Sequence, residues 1–199
     1  MRRLRTAVAF AIAAISISCN KPNASASDSA ASGGSAGMVY TPADVEFMQG
    51  MIGHHAQALV MAAMAPTHGA SAQVRLFCKK VEISQRDEIV MMRQWLEDRK
   101  QTVPDPDKPM AMPMPGMLTA EQLKQLDTAR DTAFDRLFLT FMIQHHEGAL
   151  TMVKRLFATP GAGEAPEVFR YATDVVNDQS AEIGRMKSML NTSSRSASQ

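Results

Sequence analysis

Cysteine is nearly absent, with two in 199 residues. Cys19 closes an N-terminal leader, so once the leader is removed Cys78 alone is left in the domain and no internal disulfide can form. Cys78 lies among apolar neighbours in VRLFCKKVEI and reads as a small buried hydrophobe. An excess of either charge is also missing, 21 basic side chains facing 20 acidic ones. With no basic stripe interleaved with aromatics, that balance excludes a nucleic-acid surface. There is no Gly-rich phosphate loop, no nucleotide fingerprint and no nucleophile–base arrangement, which excludes kinase and hydrolase chemistry. No segment alternates with period two, so strand is essentially absent from the expected structure.

The first residues, MRRLRTAVAFAIAAISISC, combine Arg2, Arg3 and Arg5 with an apolar run from Thr6 to Ile17 and then small residues. This is the layout of a secretory signal over residues 1–19, too short for a comfortable membrane span. Its end at Cys19 resembles a bacterial lipoprotein signal, although Ser16 stands where leucine is usual, so lipidation of Cys19 and ordinary cleavage both stay open. Either route puts the mature protein outside the cytoplasm, in a periplasm or cell envelope, with a lipid anchor as its one link to a membrane. Loss of the three arginines takes the net charge from +1 to about −2 (+1 minus 3). Residues 20–40 form a Ser/Ala/Gly tether and 192–199 a polar tail, neither with anything to pack.

Between these ends, residues 41–191 read as helix throughout. Thr41 with Pro42 starts a helix to about Met64, before Pro66 and Gly69 interrupt it. A second runs from Ala70 to Asp98 with Val74, Phe77, Val81, Ile89, Met92, Trp95 and Leu96 at near-3.6 spacing. Thr119 and Gln122 form a capping box for a third, with a break near Thr128 and an end near Ala158. The last spans about Pro166 to Leu190.

The chain repeats itself, over 41–98 and 132–191. At an offset of 91 (138 minus 47), Phe47, Met51, His54-His55, Ala58 and Met61 fall on Phe138, Met142, His145-His146, Ala149 and Met152. At an offset of 94 the following helices align, Phe77 on Tyr171, Gln85 on Gln179 and Glu88 on Glu182. One amphipathic hairpin cannot bury its apolar face, whereas two can close a four-helix bundle.

Four of the five histidines lie in these two pairs. At 100° per residue His54 and His145 fall within the apolar stripe of their helices, where an unpartnered imidazole is costly. Gln85, Glu88, Gln179 and Glu182 could satisfy them, or a metal could. The plainer reading is a polar core, since duplication copies structural residues too. If a metal binds, Met-x-x-His replaces the Glu-x-x-His of bundle di-iron sites, and thioether with imidazole selects a soft ion, Cu(I) above all. Glu147, Glu88 and Glu182 keep a harder divalent ion open. The linker 101–117 adds Met110, Met112, Met114 and Met117 among prolines, an exposed extended setting where methionine gains little from burial. Packing of the linker onto the bundle is the alternative. His68 stands in a turn and is set aside as incidental.

The doubled Phe-x-x-x-Met-Ile-x-His-His-x-x-Ala-Leu-x-Met, each copy followed by Gln-x-x-Glu-Ile, resembles the bacterial domain-of-unknown-function family 305 over roughly Thr41 to Leu190. The resemblance implies an exported, all-α, ferritin-like four-helix bundle of unassigned general function, some members being associated with copper binding and copper tolerance. Carried over by position, its motif residues are Met51, His54, His55, Met61, Met142, His145, His146 and Met152. The leading expectation is an extracytoplasmic protein that buffers or hands over Cu(I), with a copper transporter or metallochaperone as its exchange partner. Two rivals stand beside it: a structural or interaction module of the envelope whose histidines bond to Glu88 and Glu182, and a ferritin-like oxidase, weakened by the missing Glu-x-x-His pairs.

Overall fold

A computed structural model describes residues 40–105 and 114–196, with side chains described to Thr192. The leader with Cys19, the tether as far as residue 39, and Met110 and Met112 lie outside the described residues. Five helices follow in order: α1 (Pro42–Ala63), α2 (Ala72–Asp98), α3 (Ala120–Thr128), α4 (Asp131–Ala158) and α5 (Pro166–Ser196). No strand occurs among the described residues. The protein is an all-α bundle of four long helices with α3 as a short fifth.

Local chemistry explains the ends. The Thr41 hydroxyl accepts the Asp44 N–H at 3.2 Å, and Asp44 Oδ2 accepts the Thr41 N–H at 2.7 Å, a reciprocal cap behind Pro42. Ser71 caps α2, which therefore begins at Ala72 rather than Ala70. Thr119 and Gln122 close the expected box on α3. The break near Thr128 is complete: Ala129 and Arg130 are extended and Asp131 has φ 54°. At the other end, α5 runs past Leu190 to Ser196, so the segment read as a polar tail is largely helical. Nothing there stops a helix, neither Gly nor Pro, and the Thr192 hydroxyl donates back to the Ser188 carbonyl at 3.1 Å.

The helices α1 and α2 form one hairpin, α4 and α5 the other, and the two meet along α1 and α4. Their core is two clusters rather than one. One holds Ala58, Phe77, Val81, Phe138, Met142 and Ile183, and the other Met51, Ile52, Ile89, Ala149, Tyr171 and Val175. On every long helix the switch between clusters happens across a polar residue: His54-His55, Gln85, His145-His146 and Gln179. A buried polar layer thus cuts the apolar interior in two.

Candidate functional site

The layer is buried and central. His54, His55, His145 and His146 are all 0 % exposed, with Gln85 and Gln179 also buried. His54 and His145 come face to face where α1 meets α4, their ring centroids 3.8 Å apart and the planes inclined by 37°. His55 and His146 lie outward from them, at 6.4 Å and 6.2 Å from their neighbours in sequence. The offset alignment is therefore a pseudo-two-fold relation in space.

The glutamates serve the second histidine of each pair, not the first. His55 Nε2–H donates to Glu88 at 2.7 Å and His146 Nε2–H to Glu182 at 2.7 Å. Adjacent helical residues point 100° apart, so only His55 and His146 turn toward α2 and α5. His54 instead finds a backbone acceptor, its Nε2–H donating to the Pro115 carbonyl at 3.0 Å. Among the described residues neither ring nitrogen of His145 finds a hydrogen-bond partner, and Gln85 Oε1, Gln179 Oε1 and Nδ1 of His54, His55 and His146 are likewise buried without one. Native interiors leave few such groups, and each costs about 1–3 kcal/mol unless something answers it.

Burial keeps His54 and His145 neutral. It pulls His54 down to about 3, helped by His55 and His146 and opposed by the Pro115 carbonyl. It holds His145 well below the ordinary range, helped by the neighbouring imidazoles. Glu88 lies below the usual carboxylate value: burial pushes it up, but His55, Ser84 and Tyr171 together outweigh that. Cys78 belongs to the apolar cluster, and its burial, with Asp135 nearby, pushes the thiol up to about 12. It stays protonated and is no thiolate ligand.

The described end of the linker, from Met114 to Met117, does not stand exposed as its prolines suggest. Met114 and Met117 are half-buried, and the segment from Met114 to Leu118 lies strapped over the α1–α4 seam. Gln57 holds it at both backbone groups of Leu118, accepting the Leu118 N–H at 2.7 Å and donating to the Leu118 carbonyl at 3.0 Å. Gln144 donates to the Gly116 carbonyl at 3.3 Å. Gly50, one turn before His54, leaves room for two thioethers: a Cβ there would lie 3.3 Å from Met114 Sδ and 3.4 Å from Met152 Cε. Gly148 lets the strap approach α4, since a Cβ there would be 2.1 Å from the Pro115 carbonyl oxygen. Gly148→Ala is expected to lift the strap and cost about 2–3 kcal/mol. Chemical denaturation reads the loss, and an unchanged midpoint would mean the strap is not seated.

Opposite the strap the bundle is open. A groove of about 810 Å³ between α2 and α5 is lined by Asp87, Glu88, Trp95, Tyr171, Asp174 and Asp178, among others. A smaller one of about 370 Å³ holds Ser84, Asp178 and Glu182. Glu88 and Glu182, 23 % and 24 % exposed, thus connect solvent to the buried imidazoles. Burial raises the Asp178 carboxyl, and so do Glu88, Glu182 and Asp174 around it.

Of the residues singled out in the sequence, Met51, Met61 and Met142 are fully buried around the layer and Met152 is half-buried. Glu147 is not among them: it is exposed and pairs with Lys187 at 3.3 Å, because its position on α4 turns it away from the seam. His68 is structural rather than incidental. Buried against Phe134, it donates through Nε2 to the Asp127 carbonyl at 2.9 Å and ties the α1–α2 turn to the end of α3. Sequence reasoning missed the Pro115 carbonyl, Gln57 and Ser84, and it used Tyr171 only as a repeat match. Among the described residues no three of His, Cys, Asp and Glu are grouped to hold an ion. The soft donors left to complete a site here are thioethers.

A family model described as "Domain of unknown function (DUF305)" matches residues 44–190. A crystal structure of a DUF305 fragment from Deinococcus radiodurans is 33 % identical, with a TM-score of 0.67, over 77 % of this chain and 98 % of that one. A DUF305 protein from Streptomyces coelicolor is 28 % identical, with a TM-score of 0.66, over 76 % and 94 %. CopM in its Cu(I)-bound form is 30 % identical, with a TM-score of 0.60, over 75 % and 96 %, and it also has structures in Cu(II)- and Ag-bound forms. No curated protein is similar enough to match the chain.

Proposed function

The chain belongs to the DUF305 family, and on that premise we propose that it binds a soft metal ion, Cu(I) foremost, within its layer of paired histidines. The observation that carries this reading is the set of seven buried polar atoms of the layer with no partner among the described residues: Nδ1 of all four histidines, Nε2 of His145, and Oε1 of Gln85 and Gln179. His54, His55 and His146 each anchor Nε2–H on an oxygen and leave Nδ1 as a free lone pair. That is how metal-ligating imidazoles are held, the outer nitrogen fixing the tautomer and raising the basicity of the inner one. Burial keeps His54 and His145 neutral at physiological pH, so no proton competes at their nitrogens.

Imidazole nitrogens, with the thioethers of Met51, Met61, Met142 and Met152 on the same two helices, are the donor types suited to a soft monovalent ion. Glu88 and Glu182 orient His55 and His146 rather than supply oxygen ligands. The similarity to CopM, whose structures carry Cu(I), Cu(II) and Ag, supports the same class of ligand. The arginine-led leader supports work outside the cytoplasm. No described helix is long and apolar enough to cross a membrane. The reading is one of binding, buffering or transfer rather than catalysis, with a transporter or metallochaperone as exchange partner.

Anaerobic titration with Cu(I) against a chromophoric chelator tests this, with Zn(II) and Fe(II) alongside. Removing His54 and His145 together is expected to lower Cu(I) affinity by more than about a hundred-fold, beyond what loss of an orienting partner alone would do. Unchanged affinity sinks the site. One observation favours the rival reading of a purely structural layer: His55 and His146 already have carboxylate partners. It requires a wild-type protein that takes up no metal in stoichiometric amount.

A further inference from the structure

The two halves of the layer are related by the repeat, and they are not chemically equal. At an offset of 94, Ser84 on α2 corresponds to Asp178 on α5, and Phe77 to Tyr171 (84 plus 94, and 77 plus 94). The Glu88 carboxylate therefore receives a donor at each oxygen. His55 Nε2–H reaches Oε2 at 2.7 Å and the Ser84 hydroxyl reaches Oε1 at 3.0 Å, while the buried Tyr171 hydroxyl stands against the same pair, 3.2 Å from His55 Nε2. Glu182 receives His146 Nε2–H at 2.7 Å and no other hydrogen bond among the described residues. Where Ser84 would donate, Asp178 presents a second carboxylate, and where the Tyr171 hydroxyl would stand, Phe77 presents a bare ring.

We propose that Ser84 and Tyr171 are positioning residues which make the His55 half of the layer the tighter half-site, filled by a soft monovalent cation before the His146 half. The inference rests on the metal-binding reading above and adds an order to it. A carboxylate fixed at both oxygens cannot swing, so the imidazole it anchors is locked in one ring orientation and one tautomer, with Nδ1 pre-aimed. Glu182 is free to rotate about its one bond, and the His146 ring moves with it. Preorganisation of this kind is worth about ten- to a hundred-fold in affinity at other metal sites. The opposing effect is the negative charge of Asp178, which draws cations to the second half. Asp178 is exposed, and water and salt screen it. The fixed carboxylate wins.

The probe is Ag(I), diamagnetic and stable to air, added stepwise to the purified protein while imidazole nitrogen resonances are followed by NMR. The His55 Nδ1 signal is expected to move in the first part of the titration and that of His146 later, with affinities at least about ten-fold apart. In S84A/Y171F the two should move together. In the converse graft, F77Y/D178S, the His146 half should rise to meet the other, which keeps the test sound if the first variant folds poorly. Simultaneous or reversed filling in the wild type, or an order untouched by either variant, overturns the proposal. The metal-free protein separates the two claims. There the His55 Nε2–H should give one slowly exchanging signal and the His146 N–H a broadened one. If no Ag(I) or Cu(I) binds, the proposed function falls and the filling order with it. If ions bind but the metal-free rings behave alike, the positioning role alone falls.

Discussion

Asp44→Ala is expected to cost about 3–5 kcal/mol of stability and to lower Tm by about 10 °C or more. Asp44 is fully buried at the first turn of α1, and three donors converge on its carboxylate. The Thr41 N–H and hydroxyl reach Oδ2 at 2.7 and 3.0 Å, and the Gly163 N–H reaches Oδ1 at 2.6 Å from a turn 119 residues further on. The first two cap α1. The third clamps the start of the first hairpin to the turn between α4 and α5. Hydrogen bonds to a charged group are worth about 1.5–3 kcal/mol each, and truncation leaves three N–H or O–H groups unanswered in a closed space. Differential scanning calorimetry of the purified variant measures the loss. A change below about 1 kcal/mol would mean that water enters and replaces the carboxylate.

Acidification should have the other large effect. Between pH 6.5 and 4.5 the metal-free protein is expected to lose about 2 kcal/mol through His54 alone, with His145 adding to the loss in the same direction. The unfolded chain binds protons on its histidines near pH 6.5, whereas folded His54 resists protonation until about 3 and His145 is held well below its ordinary range. In this window the unfolded state therefore binds more protons than the folded one, so stability is full above pH 6.5 and falls as the pH drops toward the folded value. A group protonated in the unfolded chain and neutral in the fold contributes a slope of up to about 1.4 kcal/mol per pH unit, and His54 meets that condition across the window. Urea midpoints at pH 7, 5.5 and 4.5 provide the check, and bound metal should steepen the dependence because a ligand lost to protons is lost to the ion as well. A flat profile would mean that the rings are reached by water and charge within the fold.

A good part of this was legible in the chain itself. Hydrophobic spacing, the Thr41 and Thr119 caps and the Pro66/Gly69 break located the helices, because those are local properties of backbone and neighbouring side chains. The repeat called for a bundle closed by two hairpins, since a single hairpin leaves its apolar face wet. Four buried histidines in two pairs marked where polar groups meet the core. Helical periodicity placed the first histidine of each pair in the apolar stripe of its helix, and there the His54 and His145 rings meet at 3.8 Å.

Pairing across elements was not legible. Glu88 was readable as a partner but not as the partner of His55 rather than His54, because that depends on how far α1 is rotated about its axis in the packed bundle. The strap was misread for a similar reason. Proline and methionine in KPMAMPMPGM describe an extended segment, and nothing local says that Gly148 offers a bare backbone for Gly116 to rest on. Pro115 has no side-chain signal at all for the carbonyl that holds His54. By itself, then, the sequence determined the helices, their duplication, and that imidazole and thioether share the interior. Only the tertiary structure decided which oxygen anchors each ring, which side of the bundle is covered, and that the two halves of the layer differ. Helices form from contacts a turn apart, whereas a buried ring is oriented by atoms thirty to a hundred residues away, brought to it by packing alone.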